Sequence, residues 1–310
     1  MPKVISLIRE YFRTQFHKGY FLSIFVFTAI LVFIEYNWNI EETYIDLEPK
    51  SHLRLIRYIS MYLLAFGGAY FLLILDPRHR KLLKKPALWG MILLSVVLFS
   101  VRTWYHHYEE IYKQLLSPSY WVYARKCITN LQGLLFLFFP LLVYWYWADR
   151  KQQAIYGFYH KGVSLKPYFL MLLIMLPAIV AASTQSDFLE TYPRLFHLHL
   201  PKNGDYNLGL KLFYEICYAI DFVTTEFFFR GFLILAIARV AGPQVILPMC
   251  VFYVVIHFGK PLGETISSFF GGWLLGILAY QTKSIYGGVI VHLGIALMME
   301  VVAYVAHVLK

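Results

Sequence analysis

Charge is scarce in this sequence. Only 15% of its 310 residues are Asp, Glu, Lys or Arg, while 59% are hydrophobic and 19% aromatic. A soluble domain interrupts its apolar residues every few positions. Here runs of helix length carry almost no charge and mean hydropathy is +0.56, which excludes an ordinary soluble core and indicates a polytopic membrane protein. Cysteine is scarcer still. Cys127, Cys217 and Cys250 stand in or beside apolar runs with no CxxC pair, which excludes a disulfide framework and a thiolate zinc site. Acid is short as well, 18 Asp and Glu against 28 Lys and Arg, for a net charge of +10. There is no arginine-rich tail and no basic stripe interleaved with base-stacking aromatics. Nucleic acid is therefore excluded as a partner, and the excess base is expected to face membrane lipids.

The apolar runs lie near 20–36, 55–75, 87–103, 127–147, 167–184, 209–238, 243–258, 265–281 and 285–308. They predict an all-α transmembrane bundle of eight or nine spans. The first run lacks a small-residue cleavage pattern before NWNIEE and reads as an uncleaved anchor. The connecting segments alternate in charge. Arg78, Arg80, Lys81, Lys84 and Lys85 crowd one, and Arg150, Lys151, Lys161 and Lys166 another. Between them fall acidic loops with Glu41, Glu42, Asp46 and Glu48, then Glu109 and Glu110, then Asp187, Glu190 and Asp205. The positive-inside rule places the N-terminus in the cytoplasm.

Polarity inside the spans divides the chain. Residues 1–206, about five anchoring spans, hold few intramembrane ionisable groups besides Arg102, which is expected to snorkel to an interface. Residues 207–310 carry Glu215, Asp221, Glu226, Arg230, His257, His292 and Glu300 within apolar runs. An ionisable group at the bilayer centre costs about 2.5–3.5 kcal/mol on the insertion scale, so several together mark a polar interior. In TTEFFFRGF, residues 224–232, Glu226 and Arg230 are four apart and share a helix face. Their pairing as a plain structural ion pair is as good a reading as catalysis. Glu226 stands 15 residues before Ala241 and His257 15 after Gly242. In a helical hairpin equal offsets give equal depth, ~22 Å from the turn, so the two groups can face each other. Small residues in GGWLLG, 271–276, and at 287–288 allow helix backbones to approach closely near His292.

Two imidazoles and a carboxylate suit hydrolysis, either by holding a metal with an open water position or by deprotonating water directly. No HExxH helix, GxSxG elbow, phosphate loop or YD/GxGD pair is present, so rhomboid-type and aspartyl intramembrane proteolysis find no support. An ion-transporting role lacks the internal repeat and interrupted helices it would need.

The motifs TEFFFR at 225–230, YVVIH at 253–257 and HLGIA at 292–296 resemble those of the CPBP family, also called the ABI or CAAX-type intramembrane protease family. The resemblance covers roughly residues 209–305 and does not extend to the first two hundred residues. It implies a CPBP-protease-like core acting on a membrane-embedded or membrane-proximal polypeptide in the bacterial plasma membrane. It further implies that Glu226 is the second motif-one glutamate, Arg230 its arginine, and His257 and His292 the motif-two and motif-three histidines. A divalent metal such as zinc would rest on His257, His292 and Glu226. The family's first glutamate falls on Thr225, and its third-motif Asn or Asp on Ala296. Neither replacement supplies a carboxylate base, which leaves a catalytically impaired scaffold, chaperone or immunity-type protein as the alternative. Asp221, one turn before Thr225, and Glu300, one turn after Ala296, would restore the missing functions if the site has slid by a turn, with Asp221 as base and Glu300 beside His257.

Overall fold

The computed structural model describes residues 2–48, 51–158, 164–198, 200 and 206–309. These residues form helices and connections, with no strand among them. In chain order the main helices are α1 (Pro2–Thr14), α2 (Lys18–Trp38), α3 (His52–Leu75), α4 (Pro86–Trp104), α5 (Tyr108–Leu115) and α6 (Pro118–Asp149). They continue with α7 (Lys166–Ala182), α8 (Ser186–Thr191), α9 (Tyr206–Glu226), α10 (Ile246–Val255), α11 (Leu262–Thr282) and α12 (Tyr286–Val308). Seven helical segments are long and apolar enough to cross a membrane. One of them, Leu208–Val255, contains the turn Gly242–Val245 and doubles back on itself. Counting that hairpin as two, with the shorter apolar helix α7, recovers the nine apolar runs. Leu22, Phe33, Phe71, Leu173 and Val301 remain well exposed on their helices, as lipid-facing side chains do.

Beyond Glu226 the helix widens. Phe227–Ala236 runs as π-helix, and every residue of it is buried. Such wide turns form where the ordinary ladder is displaced by packing, and they favour functional regions. Here the packing is aromatic. Phe99 of α4 meets Phe228 at 5.3 Å between ring centroids and Phe252 at 5.4 Å, and Tyr62 of α3 meets Phe252 at 5.1 Å. One apolar core therefore runs from α2–α4 through the wide turns into α10.

Small residues set the closest approaches. Helices α6 and α9 run side by side in the same direction, with the Tyr123 hydroxyl donating to the Leu210 carbonyl at 2.8 Å. Further along, a Cβ on Gly133 would overlap the Thr224 hydroxyl and lie 3.0 Å from its Cβ. Thr224 is itself buried and cannot move aside. We expect Gly133→Val to lower stability by about 1–3 kcal/mol through overpacking, read as a lower melting temperature in detergent. On the face carrying the basic loops, Asp149 fastens the end of α6 to the short helix Ala238–Ala241 that follows the π-helical stretch. It accepts from Arg239 at 2.5 Å and from the Tyr156 hydroxyl at 2.7 Å, while the Gly157 carbonyl accepts from the Ile285 amide at 3.0 Å.

Candidate functional site

Glu226 ends the regular part of α9 and is fully buried, as is Arg230 four residues on. The two are ion-paired, Arg230 Nη1 to Glu226 Oε1, at 2.8 Å. The pair is close, yet none of the guanidinium nitrogens satisfies hydrogen-bond angles, so its attraction is chiefly Coulombic. Arg230 also stands over the Tyr253 ring, 4.4 Å from its centroid. The cation is thus held between a carboxylate and an aromatic face, which lessens the cost of its burial.

Helix α12 brings His292 to the same carboxylate. Its Nδ1 lies 3.0 Å from Glu226 Oε1, and its Nε2 lies 3.1 Å from the Tyr253 hydroxyl. An ionised carboxylate accepts only, so Nδ1 carries the proton and Nε2 the lone pair. The approach depends on Gly288, one turn earlier. A Cβ there would overlap Glu226 Oε2, and one on Gly287 would overlap the Tyr168 ring. The small residues at 287–288 act as the sequence predicts.

His257 reaches the group through Tyr253. The imidazole Nδ1–H donates to the Tyr253 carbonyl at 2.7 Å, and the two rings meet edge to face at 4.6 Å. The matched-depth argument places Glu226 opposite His257. In the fold the residue facing the acid's ion pair is instead Tyr253, one turn earlier. The reason is local. Helix α10 stops at Val255, so His257 lies in the turn beyond it, and the π-helical turns of Phe227–Ala236 take more residues per turn than the count assumes.

Glu226, Arg230, His257 and His292 are therefore gathered around Tyr253, whereas Asp221 is turned elsewhere. It binds Arg102 of α4, Nη2 to Oδ1, at 2.6 Å. This corrects two expectations at once. Arg102 does not snorkel to an interface but crosses to α9, and Asp221 is engaged away from the imidazoles. Glu300 is engaged too. Its carboxylate accepts from the backbone amides of Arg194 at 2.8 Å and Leu195 at 3.4 Å, so it anchors a loop and does not support His257. The site slid by one turn is not assembled. In the segment HLHLP, residues 197–201, His197 falls in the short helical turn Arg194–Leu198, while His199 lies outside the described residues.

The expected metal set fits poorly. Among the described residues no group of three or more His, Cys, Asp and Glu side chains is placed to share an ion. The Tyr253 hydroxyl already meets His292 Nε2, His257 Nδ1 is engaged by the Tyr253 carbonyl, and Glu226 Oε1 is met by both Arg230 and His292. Tyr253 is the residue at the centre of this group that the sequence reading passed over. Within YVVIH at 253–257 it was given no role, although a hydroxyl four residues before His257 was the available signal.

A family model described as Type II CAAX prenyl endopeptidase Rce1-like matches residues 209–298, in agreement with the CPBP resemblance of the C-terminal third. No curated protein and no solved structure matches the chain significantly.

Proposed function

With residues 209–298 forming an Rce1-like, CAAX-protease-type segment, we propose that the protein hydrolyses peptide bonds within or beside the membrane, with His292 as general base. The observation that carries this reading is the contact of 3.0 Å between His292 Nδ1 and a fully buried carboxylate. Glu226 fixes the imidazole tautomer and stabilises the imidazolium that forms during reaction. Arg230, paired with Glu226 at 2.8 Å, holds it in place.

The sequence reading gave water activation to Glu226 or Asp221. The geometry supports His292 better, because Glu226 is enclosed and Asp221 is bound to Arg102. A water beside Nε2 loses a proton to it while its oxygen attacks the scissile carbonyl carbon, and the carbonyl electron pair moves onto oxygen. The imidazolium then passes that proton to the departing amide nitrogen as the C–N bond breaks. The Tyr253 O–H, which donates to Nε2 at 3.1 Å in the resting site, turns from it to the developing oxyanion as the water takes its place, with the Arg230 charge behind its ring. In this reading the segments 76–85 and 150–158 face the cytoplasm of a bacterium, as does the N-terminus.

The test is cleavage of a library of membrane-spanning and juxtamembrane peptides by the purified protein in lipid nanodiscs. Wild type should cut a subset, and Tyr253→Phe should slow that cleavage by about 10²-fold, the usual effect of removing one oxyanion donor. Equal rates for wild type and Tyr253→Phe would remove the tyrosine from the chemistry. A second reading draws support from Thr225 and Ala296 at the family's polar positions: a non-catalytic membrane scaffold or chaperone. It predicts no cleavage of any peptide and normal cellular function for His292→Ala.

A further inference from the structure

On the face of the bundle opposite the basic loops, a cavity of about 540 Å³ opens between α6, α9 and the turn Arg194–Leu198. Its wall holds three cations, Arg125, Lys126 and Arg194, beside Asn130, Tyr214 and Tyr218. Glu109 is the acid in the lining, and Lys113 lies 3.5 Å from it. Glu300, seated on the Arg194 and Leu195 amides, acts on Arg194 and Lys126 from behind the wall, but among the described residues no ion pair joins an acid to any of the three wall cations. Two buried donors in the wall, the Asn130 amide nitrogen and Arg194 Nε, miss hydrogen-bond geometry, with only the Tyr214 and Tyr192 hydroxyls beside their side chains. Buried donors without acceptors are costly, and a concave wall of them with surplus positive charge suits an anion.

The cavity also has a direction. Tyr214, Tyr218, Phe222 and Glu226 recur every four residues and form one stripe along α9. Their rings are in sequential contact: Tyr214 to Tyr218 at 5.9 Å, Tyr218 to Phe222 at 4.8 Å, and Phe222 to His292 at 4.6 Å. The ladder joins the cationic wall to the imidazole that contacts Glu226. From Tyr218 to Glu226 the helix rises ~12 Å, which ~3–4 residues of extended peptide would cover.

Resting on the hydrolytic reading above, we propose that this cavity is a substrate-recognition subsite. It takes an acidic side chain of the polypeptide about three to four residues from the bond presented to His292. Arg125, Lys126 and Arg194 bind the carboxylate, and the aromatic stripe carries the intervening residues. A lipid phosphate would use the same cations but would not account for the ladder that leads inward to His292.

The experiment measures binding, so it does not depend on turnover. Fluorescent juxtamembrane peptides that differ only in one Glu→Gln change are titrated into wild type, His292→Ala, and the double variant Arg125→Gln/Lys126→Gln, all in nanodiscs of neutral lipid. The Glu peptide should bind wild type and His292→Ala at least ~10-fold more tightly than the Gln peptide, as a charge-assisted contact does, and the double variant should abolish that preference. Equal binding of both peptides to wild type overturns the proposal. So does a preference that persists in the double variant, or one that appears only when anionic lipid is added. Glu-dependent binding without cleavage of either peptide would uphold the subsite and count against the hydrolytic reading. Cleavage insensitive to the Glu→Gln change would do the reverse.

Discussion

Glu226→Ala is expected to destabilise the protein by about 3–5 kcal/mol, because it strands Arg230 as an unpaired buried charge. Arg230 is fully buried, and among the described residues Glu226 is its one ion-pair partner. The Tyr253 ring would remain over the guanidinium, but a cation–π contact contributes only about 0.5–2 kcal/mol and cannot replace a carboxylate. The double variant Glu226→Leu/Arg230→Leu supplies the control. Replacing both members of a buried pair with apolar groups is often neutral or stabilising, so most of the lost stability should return. Thermal unfolding in detergent reads both variants. A double variant less stable than Glu226→Ala would show that the pair does more than neutralise itself.

The second large effect is catalytic. His292→Ala should lower kcat/KM on the best library peptide by about 10²–10⁴, the range that general-base catalysis supplies. His292 is partly accessible where Glu226 is not, with side-chain exposures of 18% and 0%. Its loss removes one hydrogen bond to the acid but leaves the Arg230 pair intact. Melting temperature should therefore move far less than in Glu226→Ala, which separates a loss of chemistry from a loss of fold. His257 contacts Tyr253 through a backbone carbonyl, so His257→Ala should have the smaller kinetic effect. A larger effect from His257 would reverse the assignment of the base.

Much of this arrangement was legible in the sequence, for identifiable reasons. Apolar runs of span length define the helices because lipid leaves backbone groups only intrahelical partners. Glu226 and Arg230 were readable as a pair because spacing by four is local geometry. Their meeting with His292 was readable more coarsely, from small residues at 287–288 and the motif resemblance. The reading failed where a long count had to be carried through irregular backbone. The π-helical stretch and the end of α10 at Val255 both break the assumption of uniform rise, so Tyr253 takes the place assigned to His257. It failed again for Arg102, Asp221 and Glu300, whose partners lie far along the chain. An ionisable residue in an apolar run announces that it has a partner without naming it.

Helix α12 carries His292 and, two turns further, the carboxylate of Glu300 that grips the Arg194 backbone. A continuous helix is stiff along its axis, so these two attachments sit a set ~12 Å apart on one rod. The proposed grip on a client's acid and the blow to its backbone are thereby gauged by the same ruler. Which bond is cut would then be chosen by length measured from a charge, with little regard for the identity of the residues between.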